Sequence, residues 1–358
     1  ITQRCNDCHL VHSSDSEHLL RTYTHSPVKQ GNCQSCHNAP DSPDPFALVQ
    51  QASTLCLSCH SSPRPDHGNM QQHAPVRDGD CFACHTAHAS DYAGRLKKSP
   101  QTLCLDCHQA EKNSGSIHEA YQQGDCLGCH NPHAAAAGQT SLLAAAPNHL
   151  CQKCHEQGEI TEPFAHDPTQ QQQCTTCHLP HSSAEKALLT QPQQDLCLSC
   201  HPDMRDDLAR QNLHAPVAVG QCSSCHNPHG SLQPQILRAQ GKDLCSSCHE
   251  DVMAQAVGKN EHPPFANGEC LTCHRPHSSD NSGLAVQPQN GICFSCHSHL
   301  QTKEKYQHQP FAAGNCSLCH NPHVGDQEYY LYQPLPDLCL KCHDTDRYWS
   351  EGTAHAPA

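Results

Sequence analysis

The sequence predicts a mostly irregular chain of short α-helices with little or no β structure, elongated and built from tandem repeats. Three observations predict it. The motif CxxCH recurs fifteen times at nearly constant pitch and uses all 30 cysteines of the 358 residues. Apolar material is scarce, with six Phe, eight Tyr, one Trp and a mean hydropathy of −0.69, so side chains alone bury too little surface to offset chain entropy. The intervals between motifs are rich in Pro, Gly, Ser, Asn and Gln, the residues of turns and coil.

Two thiols two residues apart, followed at once by an imidazole, form the attachment unit of c-type haem. The thiols bond the two vinyl groups of one porphyrin, and the imidazole reaches the iron from one face. The fifteen units are Cys5, Cys8, His9; Cys33, Cys36, His37; Cys56, Cys59, His60; Cys81, Cys84, His85; Cys104, Cys107, His108; Cys126, Cys129, His130; Cys151, Cys154, His155; Cys174, Cys177, His178; Cys197, Cys200, His201; Cys222, Cys225, His226; Cys245, Cys248, His249; Cys270, Cys273, His274; Cys293, Cys296, His297; Cys316, Cys319, His320; and Cys339, Cys342, His343. A zinc knuckle, a redox dithiol or a disulfide framework would also use paired cysteines. Histidine supplies 34 of the 358 residues, so chance does not place one after all fifteen pairs. The expected cofactor is therefore fifteen covalently bound haems c. Macrocycles tied to the chain in a row would supply the apolar interior that the side chains lack.

Two kinds of site alternate along the chain. First-class sites follow a polar residue, usually with glycine one place earlier: Gly31, Gly79, Gly124, Gly220, Gly268 and Gly314. A glycine there suits a tight turn that delivers the chain to a haem edge. Second-class sites follow Leu55, Leu103, Leu150, Leu196, Leu244, Ile292 or Leu338, which suggests the start of a short helix packed on a macrocycle. The step from first to second class is 23 residues, or 25 after Cys126, and the return step is 22 to 25. The domain organisation is thus a single-haem segment over 1–25, followed over 26–358 by seven tandem two-haem modules, with no gap large enough for a separate catalytic domain. Pro202 to Asn212 and His249 to Val257 read as helices after second-class sites. Residues Ala134 to Ala146, the longest apolar stretch, are broken by Gly138, Gln139 and Thr140 and read as a loop followed by a short helix. No run of eighteen apolar residues exists to span a bilayer.

Nineteen histidines lie outside the motifs. His12, His88, His133, His181, His229, His277 and His323 each stand three residues past a first-class proximal histidine, too close to reach the far face of the same iron, and so serve a neighbouring haem. His25, His73, His118, His166, His214, His262 and His308 each stand eight residues ahead of a first-class site, and all but His118 have proline two residues later. His355 shares that signature. The fifteen provide one distal imidazole per iron, and two imidazoles give six-coordinate, low-potential haem suited to electron transfer. Which distal histidine serves which iron stays open: the proline-linked set is given either to the haem before it or to the haem after it. His18, His67, His149 and His299 obey neither register and are expected at the surface, and Met70, Met204 and Met253 are expected to pack rather than ligate.

The alternation of HxPxxxGxCxxCHxPH, as in His214 to His229, with LCxxCH, as in Leu244 to His249, resembles the doubled-CXXCH multihaem c-type cytochromes. It is similar within them to the periplasmic decaheme cytochromes of outer-membrane conduits, and in architecture to extracellular cytochrome filaments. The resemblance implies a multihaem electron-transfer protein outside the cytoplasm, since haem c is attached there, with other redox proteins or extracellular acceptors as partners. The formal charge of −14 argues against nucleic acid and anionic membranes. A wire of closely spaced haems is the leading expectation, extracellular first and periplasmic or outer-membrane associated second. A conduit subunit or an electron store is the alternative. A multihaem oxidoreductase is disfavoured because such enzymes often carry a modified motif such as CxxCK, and none of the fifteen is modified. His355 is a ligand signature without a site and Cys5 a site without its preceding ligand. Joined head to tail they would have seven residues between them, as in the internal copies, which leads to the expectation of a homopolymeric filament.

Overall fold

The structure, a computed structural model, describes residues 19–61, 70–109, 115–155, 162–302 and 304–343. It divides into two compact units, Ile1–Gln157 with Gln171–Gln191, and Gly158–Gln170 with Pro192–Ala358. Within each unit the same local pattern recurs. A proline-linked histidine in extended conformation, such as His214 at φ −64 and ψ 135, caps a four- or five-residue helix, here Ala215–Ala218. Proline at the second helical position pre-sets φ and lacks only an N–H that the first turn would leave unbonded. The helix stops at glycine in the left-handed region, Gly79 at φ 76 and Gly220 at φ 72. A single 3-10 turn then carries the first-class cysteines, as in Cys81–Ala83 and Cys222–Ser224. The side chains of Asp80 and Asp125 cap two of these turns through the amides of Ala83 and Gly128.

Second-class cysteines lie in short helices such as Ala52–Leu57, Pro100–Leu105, Gln193–Cys200 and Gln289–Cys296. These helices start four residues ahead of the first cysteine rather than at the preceding Leu or Ile, because serine, proline or glutamine upstream supplies the entry and the apolar residue falls inside a turn. The segments read as helices after second-class sites are shorter than expected, Met204–Leu208 and Glu250–Ala254. Residues 134–146 form a loop, and the helix Pro147–Cys151 follows it.

Among the described residues the β structure consists of isolated bridges and of two-residue antiparallel ladders between successive modules; the second and third modules are joined by the bridge of Gln72 with Ala134 instead. Tyr23–Thr24 pairs with Ala89–Ser90, Ser116–Ile117 with Ser182–Ser183, Phe164–Ala165 with Gly230–Ser231, Asn212–Leu213 with Ser278–Ser279, and Asn260–Glu261 with Val324–Gly325. The ladders hold the most buried residues. Ser182, Ser183, Ser278 and Ser279 are shielded there, and their hydroxyls are hydrogen-bonded, as Ser279 Oγ to the Ala285 carbonyl. Apolar burial is sparse. The one buried apolar cluster among the described residues joins Ala256, Phe265 and Val324, with Val252 and Met253 against it.

Candidate haem sites

Each described CxxCH motif makes one helical turn, closed by the proximal histidine amide on the carbonyl of the first cysteine, 3.1 Å at His226 and 3.0 Å at His249. That turn brings both thiols to one side. The described cysteines are all free thiols, and among the described residues no three His, Cys, Asp or Glu side chains converge as a zinc knuckle requires.

Distal histidines face proximal ones. His25 stands opposite His60, His73 opposite His108, His118 opposite His155, His166 opposite His201, His214 opposite His249, His262 opposite His297 and His308 opposite His343, with ring centres 5.8 to 6.2 Å apart. His37 stands opposite His88, His85 opposite His133, His130 opposite His181, His226 opposite His277 and His274 opposite His323, at 5.9 to 6.1 Å. An imidazole nitrogen binds a metal at about 2 Å and its ring centre lies about 1 Å beyond, so trans ligands put ring centres about 6 Å apart. The observed spacing is that of two imidazoles on opposite faces of one iron, and the cysteine pair beside each proximal ring completes a donor set that fits haem c.

Both threadings considered from the sequence are thereby corrected. The proline-linked histidine faces neither the attachment site before it nor the one directly after it, but the second-class site of its own module, 35 residues on in six cases and 37 for His118. Five first-class sites, those of His37, His85, His130, His226 and His274, face a ring from the following module. The physical reason is the ladder. The His25 amide donates to the His88 carbonyl at 2.8 Å and the His214 amide to the His277 carbonyl at 2.9 Å, so two distal imidazoles from successive modules are held side by side over the two sites of one module. Ion pairs flank some ladders, Arg21 with Asp91 and Lys259 with Asp326; exposed as they are, they add little.

Hydrogen bonds fix the tautomers. A carbonyl can only accept, so a ring whose Nδ1 meets one donates there and turns Nε2 toward the metal. Among the described residues every first-class proximal ring does this: His37 to Phe46, His85 to Gly94, His130 to Ser141, His178 to Ala187, His226 to Gln235, His274 to Gly283 and His320 to Tyr329, at 2.7 to 2.9 Å. On the distal side His25, His166 and His214 donate to Ala87, Pro228 and Pro276, and His277 Nδ1 lies 3.5 Å from Asp207 Oδ2. Burial, then the facing imidazole, lowers the pKa of His88, His133 and His323 below the ordinary value, which favours the neutral, ligating form. These carbonyl acceptors, nine or eleven residues away on the proximal side and 62 on the distal side, escaped the sequence reading, because a backbone oxygen carries no side-chain signature.

Successive sites touch at their sulfurs. The thiols of Cys104, Cys151, Cys245 and Cys293 contact those of Cys126, Cys174, Cys270 and Cys316, the first cysteines of the next sites, and burial followed by that contact raises them to about 11. Glycine permits the approach. A Cβ on Gly124 would lie 2.5 Å from the Gln101 side chain and one on Gly314 2.5 Å from Asn290, so glycine is needed there for space as well as for its positive φ.

Of the remaining candidates, His149 lies in the helix Pro147–Cys151 and His299 meets His297 edge-on at 6.0 Å, neither in a facing position. Met204 and Met253 sit in short helices. His229 follows the loop of its set, its amide bonded to Asn227 Oδ1. Among the described residues no imidazole stands opposite His320. Cys5, Cys8, His9, His12, His18, His67 and His355 lie outside the described residues, as does most of the 1–25 segment.

A family profile for the doubled CXXCH motif matches residues 25–65, 73–113, 118–159, 166–206, 214–254, 262–302 and 308–348, most of the chain. No curated protein matches.

Proposed function

Since the chain belongs to the doubled CXXCH motif family and its repeated motifs mark a multihaem c-type cytochrome of electron transfer, we propose that it is a wire of about fifteen bis-histidine haems, without a substrate site. The facing imidazole pairs carry this reading: the proline-linked ring and the proximal ring of one module meet at 5.8 to 6.2 Å beside every second-class motif. Bound haem supplies one-electron exchange between ferric and ferrous iron. The chain's residues attach it through paired thiols, hold both axial imidazoles in the ligating tautomer, and bring neighbouring attachment edges into contact at the sulfurs. A protein that fills both faces with imidazole leaves no position for substrate, which favours a carrier over an oxidoreductase.

The proposed setting is outside the cytoplasm, and the proposed assembly is an extracellular filament. Support for the filament comes from staggered donation. A first-class ring completed by the following module is a heterologous contact, and contacts of that kind repeat without closing. A conduit subunit or an electron store would use the same residues with different partners. Intact mass tests the loading: an excess of fifteen haems over the polypeptide is expected, and bound zinc or a persistent shortfall would refute it. Spectra should be low-spin in both redox states, and a stoichiometric high-spin haem with nitrite or hydroxylamine turnover would restore the enzyme reading. Electron microscopy of concentrated protein should show filaments; dispersed single particles would defeat the assembly.

A further inference from the structure

The distal ring of His277 is backed by a charge. It faces the His226 ring at 6.1 Å, and its Nδ1 lies 3.5 Å from Asp207 Oδ2. The comparable rings of His88, His133 and His323 meet no carboxylate among the described residues; burial and neighbouring imidazoles are what act on them. His323 lies instead against the Phe265 ring at 5.3 Å, in the apolar cluster of Ala256, Phe265 and Val324. Two consecutive first-class sites thus have unlike surroundings behind their distal rings, an acid for His226 and an aromatic ring for His274.

The acid is fixed from two sides. Asp207 lies in the helix Met204–Leu208, and its backbone carbonyl accepts the hydroxyl of Ser278, which is fully shielded in the ladder of Asn212–Leu213 with Ser278–Ser279. One residue therefore grips two successive ones, Ser278 through its backbone and His277 through its side chain. On the other side Arg210 Nε lies 3.1 Å from Asp207 Oδ1, and Arg210 Nη1 3.8 Å from Asp280 Oδ2. Two carboxylates and one guanidinium leave this cluster net negative, with Asp207 as its member against the ring. The Asp207 side chain is 26% exposed and that of His277 32%, so water screens the pair only in part.

We propose that Asp207 is a positioning residue that lowers the potential of the haem of Cys222, Cys225 and His226. The negative charge beside Nδ1 keeps the proton there, makes Nε2 of His277 a stronger electron donor to iron and favours the ferric state. His323, backed by a phenyl ring, gives the next first-class haem no such charge, so electrons passing along the row meet a step between these two sites. The inference rests on bis-histidine haem at the His226 site. Haem mass and low-spin spectra of the unchanged protein test that reading separately, since a site may be loaded whether or not Asp207 tunes it.

The test uses the full haem-loaded chain. Asp207→Asn keeps the shape and the backbone carbonyl that holds Ser278 but removes the charge. Arg210→Gln removes the compensating guanidinium and leaves the carboxylate. Haem mass, thermal melting, and a redox titration followed by haem-methyl NMR are measured on each. With fifteen haems retained, Asp207→Asn is expected to move one haem to more positive potential, and Arg210→Gln to move the same haem to more negative potential. Loosened packing alone would move the two variants alike. Replacing Cys222 and Cys225 with alanine in the Asp207→Asn background should remove the moved component. An unmoved titration in either loaded variant, shifts of the same sign in both, or a moved component that survives the loss of Cys222 and Cys225 overturns the proposal. If Asp207→Asn fails to load its haem, Arg210→Gln decides alone, because a lost structural contact gives no reason for a more negative potential.

Discussion

His214 lies eight residues ahead of Cys222, yet its ring faces His249, with centres 6.0 Å apart and planes 12° from parallel. Replacing His214 with alanine should therefore open the iron held by Cys245, Cys248 and His249, and leave the nearer haem of Cys222 untouched. The high-spin fraction should be one haem in fifteen, and reduced protein should take up one equivalent of carbon monoxide. Stability should fall modestly beyond the lost ligand. His214 Nδ1 gives up one hydrogen bond to the Pro276 carbonyl at 3.0 Å, worth about 1 kcal/mol. The backbone bond from the His214 amide to His277 and the extended cap conformation survive substitution. Electron paramagnetic resonance would quantify the signal, and its address comes from a second change. Removing the haem with Cys245→Ala and Cys248→Ala should abolish the signal, whereas Cys222→Ala with Cys225→Ala should preserve it. The opposite pattern would refute the threading drawn here.

Two further outcomes follow from the same geometry. Gly124→Ala should lower the melting temperature more than Gly138→Ala: both glycines have positive φ, 75 and 73, a conformation costing an L-residue about 1–2 kcal/mol, but only at Gly124 does the new Cβ meet a neighbour, Gln101 at 2.5 Å. Equal shifts in paired thermal melts would show that the approach of the two sites is looser than described. Acid should release distal ligands. The pKa values of His88, His133, His277 and His323 are lowered from 6.5, first by burial and then by the facing imidazole. The unfolded chain thus binds protons before the folded one does, and the stability these groups contribute is complete above 6.5 and lost as pH falls through the lowered folded values. A pH titration of the high-spin signal should show it growing only on the acid side of 6.5; growth on the alkaline side would contradict the assignment.

The attachment sites were legible because their chemistry is local. Two thiols and an imidazole within five residues need one helical turn and nothing from elsewhere, so Cys222, Cys225 and His226 announce themselves without a fold. The turn glycines were legible too, since Gly79 and Gly220 answer a backbone demand made at their own positions. The short ladders were not, because Ser182–Ser183 or Ser278–Ser279 has no alternating pattern long enough to read. Their burial comes from a partner strand about 67 residues away in sequence.

By itself the sequence determined the cofactor chemistry, the two-site repeat and the two sets of spare imidazoles, all of which depend on residue type and short spacing. Only the tertiary structure decided which imidazole faces which proximal ring and which carbonyl orients it. A distal ligand is chosen by where the chain returns. His25 reaches His60, and His88 reaches back to His37, because backbone hydrogen bonds between successive modules hold the two rings side by side over one pair of sites. That pairing joins residues dozens of positions apart, and the carbonyls that fix the rings belong to a backbone that every residue shares.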